Sequence, residues 1–272
     1  MQIAIQEDML PGRSIMDKFE QAKDLGLQGI EFWGRGLPMK VEPIVDAMER
    51  TGIKAAMVNH GRQGRILDSD PIAREQGLED LRQSIMCAAD IKAAGVSFVP
   101  HFYGALMPDL SPYMSAVELE AEMLHTHLRT LSDYADAMGV TLYIEAVNHY
   151  ETHFLNRLEQ AAKVVRRINH PRVKVTAGVF HMALEERDTP TALRDGGDVV
   201  GHVHLADSNR RLPGQGILDL KAIAEALKAI NYAGWVTLES GMPGENTPGS
   251  SAAQTLTDLP ASLTVLRASG WA

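Results

Sequence analysis

VELEAEMLHTHLRTLSDYADAM (117–138), Gly139 and VTLYIEAV (140–147) form the stretch on which the fold turns. In the first run apolar residues recur at spacings of three and four, the period of a helix with one buried face. Gly139 follows as a stop, since glycine accepts the positive φ of a helix C-cap. The second run is apolar on both alternating faces, as a parallel strand covered on both sides must be. The unit recurs in both directions. Strands are expected at 2–5, 28–33, 53–59, 95–101, 140–147, 173–180, 200–205 and 234–240, and clear helices at 15–25, 117–138, 157–168 and 220–230. The stretch 190–199 is weak as a sixth helix. Gly26, Gly52, Gly95, Gly139 and Gly234 stand where helical runs give way to strands and are read as the same kind of stop. Eight strands alternating with helices imply an α/β fold, a closed (β/α)₈ barrel forming one domain over residues 1–272. An open doubly wound sheet is the rival, but it calls for a glycine-rich turn after the first strand. That place holds EDMLPGRS (7–14), with one glycine.

Composition narrows the function. A formal net charge of −9 disfavours nucleic acid as a partner, because phosphate binding needs a basic face. The single cysteine, Cys87 in SIMCAAD, excludes an intrachain disulfide and is read as buried packing. No apolar run approaches the roughly 20 residues of a membrane span. The opening MQIAIQEDMLPG lacks the basic region of a signal peptide, so a cytoplasmic location without membrane partners is expected.

In such a barrel, function gathers where strands end. Those ends carry Glu31, His60, His101, Glu145, Asn148, His149, Glu151, His181, His202, His204, Asp207, Arg210 and Glu239. Six of the ten histidines fall there, a concentration that surface scatter does not produce. Glu145 in LYIEAV and Glu239 in WVTLES sit in otherwise apolar strands. A buried carboxylate without a partner costs several kcal/mol, so each needs a cation or a catalytic role. His202 and His204 share one strand face, as core residues or as ligands. Glu31 is read as pairing with Arg35, Glu185 and Glu186 as a solvated face, and Asp207, Arg210 and Arg211 as either a surface network or a substrate-oxygen clamp. Carboxylates and imidazole around one cavity suit Mn²⁺, Mg²⁺ or Co²⁺. Such an ion polarises a carbonyl while two glutamates move protons about an enediolate.

Four blocks, IEAVNHYETHFLN (144–156), VFHMALEE (179–186), HVHLADSNRRLPGQG (202–216) and TLES (237–240), resemble the xylose-isomerase-like TIM-barrel superfamily, most of all its D-tagatose/D-psicose 3-epimerase group. The resemblance implies a divalent-metal-dependent isomerase or epimerase of a ketose or keto-acid sugar, manganese being the expected ion. It implies Glu145, His204 and Glu239 as metal ligands, with Glu145 and Glu239 also as acid and base. It further implies Glu151, His181 and Arg210 as substrate contacts, to which His60 and His101 are added. A homo-oligomer, dimer or tetramer, is expected. Two departures stand out. Gly178 replaces the usual aspartate ligand three residues before His181, leaving a three-ligand metal site, a reshaped one or a metal-free one. His149 replaces an arginine, and a histidine there would serve as an extra acid or base.

Other readings stay open. A keto-sugar lyase of the C-glycoside deglycosidase type would use His149 and come with a small β-rich partner subunit. An endonuclease-IV-like enzyme would use His60 and His101 as zinc ligands, but its later Asp-x-His pair is absent from LPGQGILD (212–219). A non-catalytic sugar-binding barrel draws its support from Gly178.

Overall fold

A computed structural model describes residues 1–63, 65–241 and 252–271. Eight parallel strands among them close on one another in sequence order: β1 (Gln2–Gln6), β2 (Gly29–Trp33), β3 (Lys54–Asn59), β4 (Gly95–Phe98), β5 (Thr141–Glu145), β6 (Val173–Gly178), β7 (Val200–Leu205) and β8 (Trp235–Leu238). Closure is made by β1 on β8, with Ile3 opposite Val236. The helices between them include α1 (Ile15–Asp24), α2 (Val41–Thr51), α3 (Pro71–Asp90), α4 (Ala116–Ala137), α5 (Leu158–Ile168), α6 (Val179–Glu185), α7 (Thr189–Gly196), α8 (Leu220–Ala229) and α9 (Ala252–Ala268). The barrel read from the sequence is therefore the observed fold.

The stretch 190–199, read as weak, contains a helix. Asp188 caps α7 by accepting the Thr191 N–H at 2.9 Å, and Pro190 occupies the first turn, where a missing N–H is harmless. Propensity concealed this helix, and its start signals, Asp188-Thr189-Pro190, were the legible mark.

The outward faces of the strands and the inward faces of the helices make one continuous apolar core, from Ile3 and Phe19 through Leu128 and Val175 to Leu266. The barrel interior is different. Its floor holds Trp235 beside Ala4 and Ala56. A Cβ on Gly29 would lie 2.9 Å from the Trp235 indole, so the glycine is what admits the ring. Above this floor the interior turns polar: Ser97 and Thr176 share a hydroxyl hydrogen bond of 2.8 Å, and Glu31, His202 and His204 follow, all buried.

The five glycine stops divide into two kinds. Gly26, Gly52 and Gly139 have φ of +71°, +80° and +71°, as C-caps should. Gly95 and Gly234 do not have positive φ. At Gly95 the requirement is space: a Cβ there would lie 2.0 Å from the Thr141 carbonyl oxygen and 2.5 Å from the Tyr143 ring. Gly95→Ala must push β4 away from β5, and overpacking of this kind costs about 1–3 kcal/mol. Thermal unfolding followed by circular dichroism should show Tm lowered by roughly 2 °C or more; an unchanged Tm would mean the strand pair yields freely.

Candidate active site

The polar interior opens at the carboxyl ends of the strands into a cavity of about 660 Å³. Its walls include Glu145, Glu239, Glu151, His181 and Arg210, together with Trp33, Arg35 and Lys40, and the apolar Val99, Phe102 and Val147.

At its base sits the His204 imidazole. Its Nε2 lies 2.9 Å from Glu31 Oε1; its Nδ1 lies 2.9 Å from Glu145 Oε1 and 3.3 Å from Glu239 Oε2. All of these groups are at strand ends, and β6 pairs with β7 so that Gly178 stands opposite His204. Glu31 is the most heavily bonded carboxylate of the interior. Besides His204 it takes His202 Nε2 at 2.9 Å, Asn59 Nδ2 at 3.1 Å and Gln6 Nε2 at 3.5 Å. The expectation that Glu31 pairs with Arg35 is wrong. A carboxylate on the inward face of β2 cannot reach an arginine two residues beyond the strand, and Arg35 is exposed. The signal was present in the sequence, since GIEFW buries Glu31 as LYIEAV buries Glu145.

Charge is divided unevenly among these groups. Burial alone would discharge His204, but Glu145, Glu31 and Glu239 outweigh it and hold the imidazolium well above the ordinary histidine value. Burial pushes Glu31 and Glu145 up too, yet the facing histidines dominate: Glu31 is held well below the ordinary carboxylate value and Glu145 below it. Glu239 goes the other way. Burial, reinforced by the Glu145 charge, raises it to about 7.

Around this centre lie the other residues singled out in the sequence. His181, on α6, is buried, and burial lowers it to about 4. Its Nδ1 accepts the Asn148 backbone N–H at 3.2 Å and faces the Asn148 Nδ2 at 2.8 Å. An Nδ1 that accepts leaves the proton of the neutral ring on Nε2, a donor at the cavity wall. Glu151 is clamped between the Arg62 and Arg210 guanidinium groups, the latter at 3.1 Å. Arg210 also lies 3.9 Å from Glu239 and 5.0 Å over the Phe180 ring. The loop that carries it is built on Asp207, which is buried rather than part of a surface network. Asp207 accepts the N–H groups of Ser208, Gly214 and Leu218 at 2.7, 2.8 and 3.2 Å.

Three histidines stand apart. His60 lines the cavity but is anchored behind it, with Nδ1 2.9 Å from Ser84 Oγ. His101 is buried away from the lining, with Nε2 2.7 Å from the Gly104 carbonyl and its ring edge-on to His153. The His149 side chain is 55% exposed; its Nδ1 lies 2.5 Å from Glu185, which also accepts its backbone N–H. Glu185 is thus a local anchor and not a solvated charge. Glu186 likewise accepts the Leu158 N–H at 2.8 Å. Asn148 was read only as a polar residue at a strand end, and Arg62 and Trp33 were not singled out; their contacts depend on loop geometry that no spacing announces.

A family model described as the xylose isomerase-like TIM barrel matches residues 19–261. The chain belongs to that family. It is 31% identical over 248 residues to the 3-dehydro-D-guloside 4-epimerase of Escherichia coli, covering 90% of this chain and 94% of that one. The D-psicose 3-epimerase of Enterocloster bolteae is 40% identical over a shorter stretch of 124 residues, 46% of this chain and 41% of that enzyme. Among solved structures, the apo 3-keto-D-glucoside 4-epimerase from E. coli superposes with a TM-score of 0.85 at 29% identity, over 98% of this chain and 99% of that one. Family membership thus places the chain among sugar epimerases and isomerases.

The donor set suits the divalent cation that the family implies. Glu145, His204 and Glu239 each offer an atom within 4.8 Å of the other two. Two carboxylates and one imidazole are ligands for Mn²⁺, Mg²⁺ or Co²⁺. Glu31, receiving the far ring nitrogen of His204, is the acceptor that fixes a metal-binding imidazole in one orientation. At Gly178 a Cβ would lie 2.6 Å from Glu145 Oε1 and 3.0 Å from His181 Cδ2. A carboxylate added there meets the Glu145 charge at close range and is tolerated only if a cation is shared between them. Gly178→Asp should therefore lower Tm in metal-free buffer and roughly double the Tm rise produced by Mn²⁺. Equal Mn²⁺ shifts in mutant and wild type would place position 178 outside the metal's reach.

Proposed function

We propose that this chain is a divalent-metal-dependent epimerase that inverts the carbon next to the ketone of a sugar. The observation that carries this reading is the convergence of Glu145 and Glu239 on one imidazole nitrogen, at 2.9 and 3.3 Å, with their proton affinities pushed in opposite directions in the metal-free centre. Pairs of acids split in this way are what proton transfer in two directions requires. The relatives' names describe the same operation at different carbons. A 3-dehydro sugar epimerised at C4 and a 2-ketose epimerised at C3 both change the stereocentre adjacent to a carbonyl.

In the mechanism, Glu145, His204 and Glu239 would hold the cation, which when bound supplies Lewis-acid polarisation of the sugar carbonyl. The chain's own groups do the rest. Glu145, the stronger acid of the pair and hence ionised, takes the proton from the carbon beside the carbonyl, leaving an enediolate. Glu239, the weaker acid of the pair, returns a proton to the opposite face, inverting the centre. The next turnover in the reverse direction exchanges the two roles. His181 donates its Nε2 proton to a sugar oxygen, and the Arg210–Glu151 pair fixes neighbouring hydroxyls. Manganese as the ion, a homo-oligomeric state and a cytoplasmic location belong to the same proposal and rest on the resemblance to the ketose 3-epimerases. Among the described residues no helix is long and apolar enough to cross a membrane. The lyase reading is less favoured, since His149 is turned to Glu185 and is not among the residues lining the cavity.

Glu145→Gln and Glu239→Gln should each lower kcat by about 10³ with the circular dichroism spectrum unchanged, in the range of general acid–base contributions. In D₂O the product of the wild-type enzyme should carry deuterium at the inverted carbon. Full activity in either variant, or inversion without deuterium, rules the mechanism out. Chelation should abolish turnover and Mn²⁺ restore it.

A further inference from the structure

From an aromatic side chain of the cavity wall that the mechanism leaves unused we infer a second-ring subsite: the substrate is a keto-glycoside of two sugar rings, its second ring seated on Trp33. This deepens the epimerase reading and rests on it.

The first support is volume. A free hexose has about 12 non-hydrogen atoms and a disaccharide about 23, and bonded atoms each take less than the ~30 Å³ of a water, so 660 Å³ holds more than one sugar ring.

The second support is how the wall around Trp33 is built. Trp33 ends β2, two strands from β8 with Glu239 and three from β5 with Glu145, and its side chain lines the cavity. Its backbone N–H donates to Glu7 Oε1 at 3.1 Å, and its side chain hydrogen-bonds the Asp8 carboxylate. Glu7 is itself fixed by Lys40 Nζ, 2.9 Å from both oxygens. Gly61 packs on the six-membered ring, since a Cβ there would lie 3.2 Å from it. The indole is thus held from three sides yet remains half-exposed to the cavity. A fixed, partly open indole ringed by charged groups is unexplained by packing. It fits a sugar ring, whose C–H face stacks on the indole while its rim of hydroxyls meets Asp8, Lys40 and the exposed Arg35. A rigid aromatic platform also loses little conformational entropy on binding, which is where added affinity comes from.

The test compares methyl 3-keto-glucoside with 3-keto-maltose and 3-keto-cellobiose, each oxidised on the non-reducing ring. The better two-ring substrate should exceed the methyl glycoside in kcat/KM by about tenfold, through KM. Trp33→Ala should bring that ratio close to one, and Trp33→Phe should keep part of it. A ratio near one in the wild type, or the same ratio in Trp33→Ala, overturns the subsite. Should neither these sugars nor a free 2-ketose turn over, the epimerase reading fails on its own, whereas turnover of the free ketose alone overturns the subsite and leaves that reading standing. In the former case calorimetric binding of maltose and cellobiose against glucose decides the subsite separately. A disaccharide preference that Trp33→Ala removes supports it; no preference in the wild type overturns it.

Discussion

The structure depends on one imidazole holding three carboxylates in a place where none would stay ionised alone. Glu31, Glu145 and Glu239 are all at strand ends inside the barrel, and His204 touches each of them. Removing one partner of such a buried set leaves an uncompensated charge, at a cost of about 3–5 kcal/mol. The set is therefore an all-or-none arrangement, and it fixes which residues the neighbouring strands can carry. Asn59 and Gln6 spend their amides on Glu31, so the acceptor that orients His204 is itself oriented. Polar groups at this depth are stabilising only when fully partnered, and here nearly every partner comes from a different strand.

This constraint also explains the two-storey interior. The floor is filled by large rings, Trp235 and Tyr143, admitted by glycine and alanine on adjoining strands. Sealing the floor excludes water from one end, so the charges above it act across a low dielectric and shift one another strongly. The same charges on a solvated rim would be screened to little effect. That Glu239 is raised to about 7 while Glu145 is lowered is a product of this enclosure. The packing residues of the floor thus contribute to the chemistry of the mouth without touching it.

The sequence revealed the parts whose cause is local or repetitive. Strand and helix alternation is a periodic property, so all eight strands were readable to within a few residues, as were Gly26, Gly52 and Gly139 as caps. A lone acid in an apolar strand is also a local signal, which is why Glu145 and Glu239 stood out. Glu31 sent the same signal but was matched to Arg35, its neighbour in sequence, when its true partners lie 171 and 173 residues away on β7. Gly95 resembled a cap, but its reason, a carbonyl on the next strand, belongs to register. His101 and His149 looked equivalent to His181 as strand-end histidines. Only the loops' paths separate a ring held at the cavity by Asn148 from rings turned toward Gly104 and Glu185.

Gly178 shows how such a site is altered without being dismantled. Its absent side chain makes the space into which Glu145 Oε1 and the His181 ring close. With a fourth carboxylate gone, the centre carries one negative charge fewer, and the imidazolium of His204 suffices to hold the remaining acids when no cation is present. A further carboxylate at this position would meet the Glu145 charge at close range and raise the cost of keeping these acids buried without a cation.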